Sequence, residues 1–167
     1  MPFQTVLKSN SPAETASIAA ALASVLRGGE YISLEGDLGA GKTLFAGALI
    51  HALGVTIHVT SPTFVLQKEY ETPGGLPVSS ILHYDFYRIQ TYAELLDLGF
   101  EDTPDHAVVV AEWGDKFVSN FPGNVIRVLI AGCGEDTRTL VLHLSGASQN
   151  AQFAQALKSV QIRQQEP

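Results

Sequence analysis

The chain has 167 residues, 46% apolar and 16% charged, which fits one soluble globular domain spanning 1–167 with a sizeable core. Its 17 acidic and 10 basic residues give a net charge of −7, which argues against a broad basic face for unaided, tight binding of RNA or DNA. No apolar run reaches the length of a membrane span, the N-terminus lacks a basic-then-apolar leader, and the lone Cys133 has no partner for an internal disulfide, so a reducing cytoplasm is the expected compartment.

Phe3 to Leu7 alternates weakly and reads as an edge strand. Ser11, Pro12 and Glu14 then mark a helix start, with serine as N-cap, proline at the first helical position and glutamate closing a capping box. Ile18, Leu22, Val25 and Leu26 supply a buried stripe, and Gly28-Gly29 ends the helix. This helix either serves packing alone or also lays its 10–15 segment, Ser11 included, against a nucleotide base. Glu30 to Glu35 reads as a short strand.

Gly36-Asp37-Leu38-Gly39-Ala40-Gly41-Lys42-Thr43 follows that strand and matches G-x-x-x-x-G-K-[ST] at every fixed position. Glycines let the backbone turn its N–H groups toward phosphate oxygens, Lys42 adds a mobile positive charge, and the Thr43 hydroxyl can complete a Mg²⁺ shell. Thr43 to Leu53 continues as a helix with apolar residues at Leu44, Phe45, Ala48, Leu49, Ala52 and Leu53, and Gly54 stops it. Strand, glycine loop and helix in that order aim a helix N-terminus at bound phosphate. The stretch is a nucleotide site.

Phe64 to Tyr70 is expected as a strand after the polar 58–63 segment, and Val78 to Tyr84 as its antiparallel return. Ile81 to Asp85 and Ala107 to Glu112 both read as strands ending in an acid, the pattern of a second phosphate-site motif. The second is the more continuous apolar run and is expected at the sheet centre, its acid emerging beside the glycine loop. Thr91 and Glu94 open a short helix between them, and Gly99 closes it. Val125 to Ala131 and Thr137 to Leu144 form a second hairpin around Cys133, which has no basic neighbour and reads as inert. A last helix starts near Ser148 with Phe153, Leu157 and Val160 on one face, and Gln161 to Pro167 reads as a frayed tail. The expected architecture is α/β: a three-layer P-loop fold with a mixed, mainly parallel sheet and helices on both faces.

Guanine specificity has no visible basis, since no N-K-x-D occurs and Asp85 is followed by Phe86-Tyr87-Arg88. The five histidines (51, 58, 83, 106 and 143) are dispersed without metal-ligand spacing. Of the five arginines, four fall on predicted outer helices or hairpin strands and only Arg88 lies near a predicted catalytic edge, which weakens a small-metabolite kinase without removing it as the alternative. A nucleotide-binding regulatory module that barely hydrolyses is a third reading. Glu112 is the favoured second acid at Mg²⁺, with Asp85 close behind; sequence does not apportion them. Thr63 either senses a terminal phosphate or caps the Ser61-Pro62 turn.

The glycine loop, Ser61-Pro62-Thr63-Phe64, His83-Tyr84-Asp85-Phe86-Tyr87-Arg88 and Glu112-Trp113, in that order, resemble the bacterial TsaE family from about Ser11 to Leu144. The resemblance implies an ATPase subunit of the machinery that makes threonylcarbamoyladenosine on tRNA. On that reading the chain engages the TsaD and TsaB subunits, meets tRNA only through them, and hydrolyses ATP with Mg²⁺ to sustain their turnover. It further implies that Asp85 serves hydrolysis, by orienting the attacking water, and that Trp113, otherwise a core aromatic, walls the site or faces a partner. ATP would then be held by Ser11, Gly36, Asp37, Leu38, Gly39, Ala40, Gly41, Lys42, Thr43, Thr63 and Trp113, with Mg²⁺ at Thr43, Glu112 and Asp85.

Overall fold

The computed structural model describes residues 3–132, 134–144 and 147–165. In chain order the elements are β1 (Phe3–Ser9), α1 (Pro12–Ala23), β2 (Glu30–Glu35), α2 (Lys42–Ala52), β3 (Gln67–Glu71), β4 (Ser80–Asp85), α3 (Tyr92–Asp97), β5 (Ala107–Glu112), β6 (Asn124–Ala131), β7 (Arg138–Leu144) and α4 (Ala147–Gln165). The strands make one sheet in the order β1-β7-β6-β2-β5-β4-β3. β6, β2, β5 and β4 run parallel, and antiparallel β7 and β3 flank that block. β1 pairs with β7 as the outermost strand, so the edge position expected for it holds.

Hydrophobic patterning explains this order. Every residue of β2, β4 and β5 is buried, the continuous burial of strands covered on both faces, whereas β6 alternates. One face packs Ile32, Leu34, Val108 and Val110 against Ile18 and Leu22 of α1, Phe45 and Leu49 of α2, and Phe153 and Leu157 of α4. The other face packs Tyr31, Tyr84 and Val109 against Phe86, Phe100, Phe117 and Phe121, several of them ring edge to ring face. This second layer, built from α3 and 3-10 turns, covers β2, β5 and β4. Beyond it, Val6 and Leu129 stand exposed on β1 and β6, each in register with Val141 of β7. The mixed sheet with helices on both faces is therefore as expected, with one helical layer much thinner than the other.

Several boundaries differ from the sequence reading. α1 stops at Ala23, so Val25 and Leu26 reach the core from the turn that follows, and the left-handed Gly28 and Gly29 come later still. Ser11 caps α1 as expected by accepting from the Glu14 N–H, but Glu14 reaches back to the Asn10 N–H instead of closing the box on Ser11. The predicted strand from Phe64 starts only at Gln67: Leu66 has φ 67°, and its N–H bonds the Pro62 carbonyl, closing a turn that leaves Phe64 82% exposed. Its return strand runs Ser80–Asp85, two residues later than Val78. Thr91 and Glu94 do form the reciprocal cap of α3, with Gly99 left-handed beyond it. The C-terminal segment is helical through Gln165; Glu166, Pro167 and the inert-thiol expectation for Cys133 lie outside the described residues.

Candidate nucleotide-binding site

The parallel strands all end on one side of the sheet, and there the sequence motifs meet. β2 runs into the glycine loop, and Gly36 needs its φ of 141° because a Cβ would stand 2.3 Å from the Ile130 carbonyl oxygen. Gly39 and Gly41 are also left-handed, but nothing lies within 4 Å of where their Cβ atoms would be. Their open side leaves room for a ligand to approach the backbone closely. The loop borders a cavity of about 370 Å³ lined among others by Leu38, Lys42, Thr43, Ser61, Thr63 and Trp113, within the range of small-molecule sites.

Register places the two acids together. Asp85 and Glu112 are paired positions at the carboxyl ends of β4 and β5, and both line the cavity at 4% and 3% exposure. Their partners differ. Glu112 Oε2 accepts from the Thr43 hydroxyl (2.8 Å) and Oε1 faces His83 Nε2 (2.8 Å). Asp85 Oδ2 accepts from the hydroxyls of Ser61 (2.9 Å) and Thr63 (2.8 Å), and Oδ1 from the Tyr87 N–H (2.9 Å). The Asp85 N–H also bonds the Leu66 carbonyl, so one residue pins the whole Ser61–Leu66 turn.

Lys42 is 5% exposed and donates to the carbonyls of Gly36 (2.7 Å) and Asp37 (2.8 Å), with its ammonium 3.8 Å from the Trp113 ring centroid. Burial lowers its pKa below the ordinary lysine value, against the pull of Glu112, Asp85, Asp115 and Asp37. Trp113 takes that place through a left-handed backbone (φ 59°), unusual for an aromatic residue. The next residue must be glycine, since a Cβ on Gly114 would lie 2.4 Å from Ser33 Oγ. Lys116, two residues further on, donates to the carbonyls of Phe86 (2.9 Å), Tyr87 (3.1 Å) and Ile89, tying the turn after β5 to the turn after β4.

Two cationic positions gain a definite setting that the sequence left open. Arg88 points away: it is exposed, stacks over the Phe64 ring at 4.7 Å, and does not line the cavity. Arg138, assigned to an outer hairpin, braces the glycine loop by donating to the Ala40 (2.8 Å) and Gly39 (3.4 Å) carbonyls. With Pro12, Thr15, Gly41 and Leu44 it lines a second cavity of about 50 Å³ behind the loop. Ser11 does not line that cavity; its neighbours Pro12 and Thr15 do, and Ser11 itself is occupied in capping α1. His83 entered the sequence reading only as a dispersed histidine and as part of a motif, without a role of its own. A period of two along β4 puts it on the same face as Asp85, which was the available signal.

Among the described residues no cluster of three or more His, Cys, Asp or Glu side chains forms a metal site by itself, and no helix is long and apolar enough to cross a membrane. A Mg²⁺ ion that arrives with phosphates needs only one or two protein oxygens, and the Thr43 hydroxyl beside the Glu112 carboxylate is such a set.

A family model described as "Threonylcarbamoyl adenosine biosynthesis protein TsaE" matches residues 9–140. The tRNA threonylcarbamoyladenosine biosynthesis protein TsaE of Bacillus subtilis is 36% identical over 137 residues, 81% of this chain and 83% of its own length. Its namesake from Rickettsia prowazekii is 39% identical over 135 residues, 80% and 91% of the two chains. The crystal structure of Bacillus subtilis YdiB superposes with a TM-score of 0.71 at 26% identity, covering 95% of this chain and 97% of that one. With the glycine loop, the Ser61–Leu66 turn, the Asp85 strand and the Glu112-Trp113 corner all inside the matched span, this chain belongs to the TsaE family.

Proposed function

We propose that the chain is a Mg²⁺-dependent ATPase that serves synthesis of threonylcarbamoyladenosine on tRNA. One observation carries this reading: Thr43 at the head of α2 bonds Glu112 at 2.8 Å, with the open cradle of Gly39 and Gly41 beside them. That is the juxtaposition a metal–triphosphate complex requires. The family supplies the pathway, and its relatives are named for that biosynthesis.

Each residue then has a task. Backbone N–H groups of the 36–43 loop bind phosphate oxygens, and Lys42 exchanges the Gly36 and Asp37 carbonyls for them. Thr43 and Glu112 hold Mg²⁺, which supplies positive charge at the phosphate oxygens. Asp85 already has both oxygens engaged by the Ser61–Leu66 turn and Tyr87, so it organises Thr63 and orients water through that turn more readily than it ligates metal. Pro12 and Thr15, which line the small cavity behind the loop, mark the side on which the base would lie.

No arginine lines the 370 Å³ cavity among the described residues. Phosphoryl transfer gains on the order of a thousandfold or more from such a charge, so the chain alone turns over slowly. TsaD and TsaB, bound at this edge, raise the rate, and tRNA is met only through them, in keeping with the net charge of −7. The same absence disfavours a small-metabolite kinase, whose arginine-bearing lid would have to close here. The test is phosphate release from ATP and Mg²⁺, with and without the two synthase subunits. Stimulation by the subunits is expected. No hydrolysis in either condition, or a rate that rises only on adding a small metabolite, overturns the reading.

A further inference from the structure

His83 is wholly buried, and its Nε2 lies 2.8 Å from Glu112 Oε1. It lies on the α2 face of the sheet between Ile81 and Asp85, with the Tyr70 ring 6.5 Å away centroid to centroid. A carboxylate oxygen only accepts, so the proton sits on Nε2. Nδ1 is buried with no hydrogen-bond partner among the described residues. The imidazole thus has a single polar engagement, and that engagement is with the acid that also binds Thr43. A core residue needing only bulk at this position would have no unpaired nitrogen to bury.

We infer that His83 is a positioning residue for Glu112: its Nε2–H fixes Oε1 and thereby turns Oε2 toward Thr43 and the Mg²⁺ position. Without it, a glutamate with three side-chain torsions relaxes out of the position in which its second oxygen meets the threonine. Asp85 needs no such support, because its three contacts come from its own turn and the Ser61–Leu66 loop. This inference rests on the nucleotide reading above.

The test compares the full chain with His83→Gln, whose side-chain amide stands near the former Nε2, and with His83→Asn, whose amide stops near the former Nδ1. Binding of a fluorescent, non-hydrolysable ATP analogue is titrated in EDTA and across a Mg²⁺ series, with thermal melts beside it. In EDTA all three are expected to bind alike. With Mg²⁺, His83→Gln is expected to stay within about threefold of wild type, while His83→Asn needs about tenfold more Mg²⁺, the scale of a lost partner behind a metal ligand. Equal Mg²⁺ curves for Gln and Asn overturn the inference while leaving the nucleotide site standing. A wild-type chain that binds no analogue, or binds it without regard to Mg²⁺, overturns the nucleotide reading and the role of His83 with it. If His83→Asn fails to fold, His83→Phe, which fills the volume without a donor, takes its place. Should neither fold while His83→Gln does, His83 is structural and the inference falls.

Discussion

Glu30 and Glu112 are both buried acids at strand termini, 2% and 3% exposed, yet they belong to opposite ends of the sheet and to different chemistry. Glu30 opens β2, and its carboxylate accepts from the backbone N–H groups of Arg27 (2.9 Å) and Gly28 (2.8 Å) and from the Gln149 amide of α4. Its partners are fixed donors of the preceding turn and a helix, and it lines neither of the two cavities described above. Glu112 closes β5, and its partners are side chains from α2 and β4 at the rim of a 370 Å³ cavity. Burial alone therefore does not mark a functional acid. What separates the two is whether the partners are backbone groups that finish a turn or side chains that can be exchanged for a ligand.

Substitutions can break that contrast. The largest effect is expected at Lys42→Ala and Glu112→Gln: hydrolysis lost or reduced on the order of a hundredfold or more, with the melting temperature held or raised. Phosphate-release assays beside thermal melts check both halves, and a collapse in melting temperature for Glu112→Gln would make it a second Glu30. Asp85→Asn comes next, at roughly tenfold in turnover by analogy with a displaced positioning group. Amide exchange across 61–66 should rise in that variant, because its side chain donates where it now accepts from Ser61 and Thr63. Arg138→Ala is expected to weaken ATP binding about fivefold, the cost of about 1 kcal/mol in loop bracing, measured by titration in EDTA. Smallest in activity is Glu30→Ala: turnover unchanged, but melting lowered by roughly 2–10 °C as two turn N–H groups lose their acceptor. A loss of turnover there without loss of stability would erase the distinction.

How much of this was readable beforehand follows from the range of the interactions. β2, the glycine loop and α2 are local in sequence, and the motif located them to within a residue. Both acid-ended strands were visible as apolar runs, and β5 is an interior strand with parallel neighbours on each side, one place from the middle strand β2. Boundaries set by turn geometry were not. Phe64 and Val65 look like strand residues, yet Asp85, 20 or more residues away, draws Ser61 and Thr63 into a turn and leaves both apolar side chains outside. Arg138 escaped notice for the same reason: its bonds to Gly39 and Ala40 span nearly a hundred residues and depend on how β7 lies beside β6. His83 carried a signal in its spacing from Asp85, but its partner Glu112 sits on another strand, and only the β4–β5 register joins them.

The left-handed turn at Trp113 has a further consequence. Trp113 is the only tryptophan of the chain, and its indole is in contact with the Lys42 ammonium at 3.8 Å and with the Tyr87 ring at 5.1 Å. An indole excited state responds to a charge held against its face, so on the proposed reading a phosphate that drew Lys42 off the ring would alter the emission of the whole molecule. Site occupancy would then be read in intrinsic fluorescence, with no label and no competing indole. The corner after β5 thereby offers a built-in optical test of the nucleotide reading.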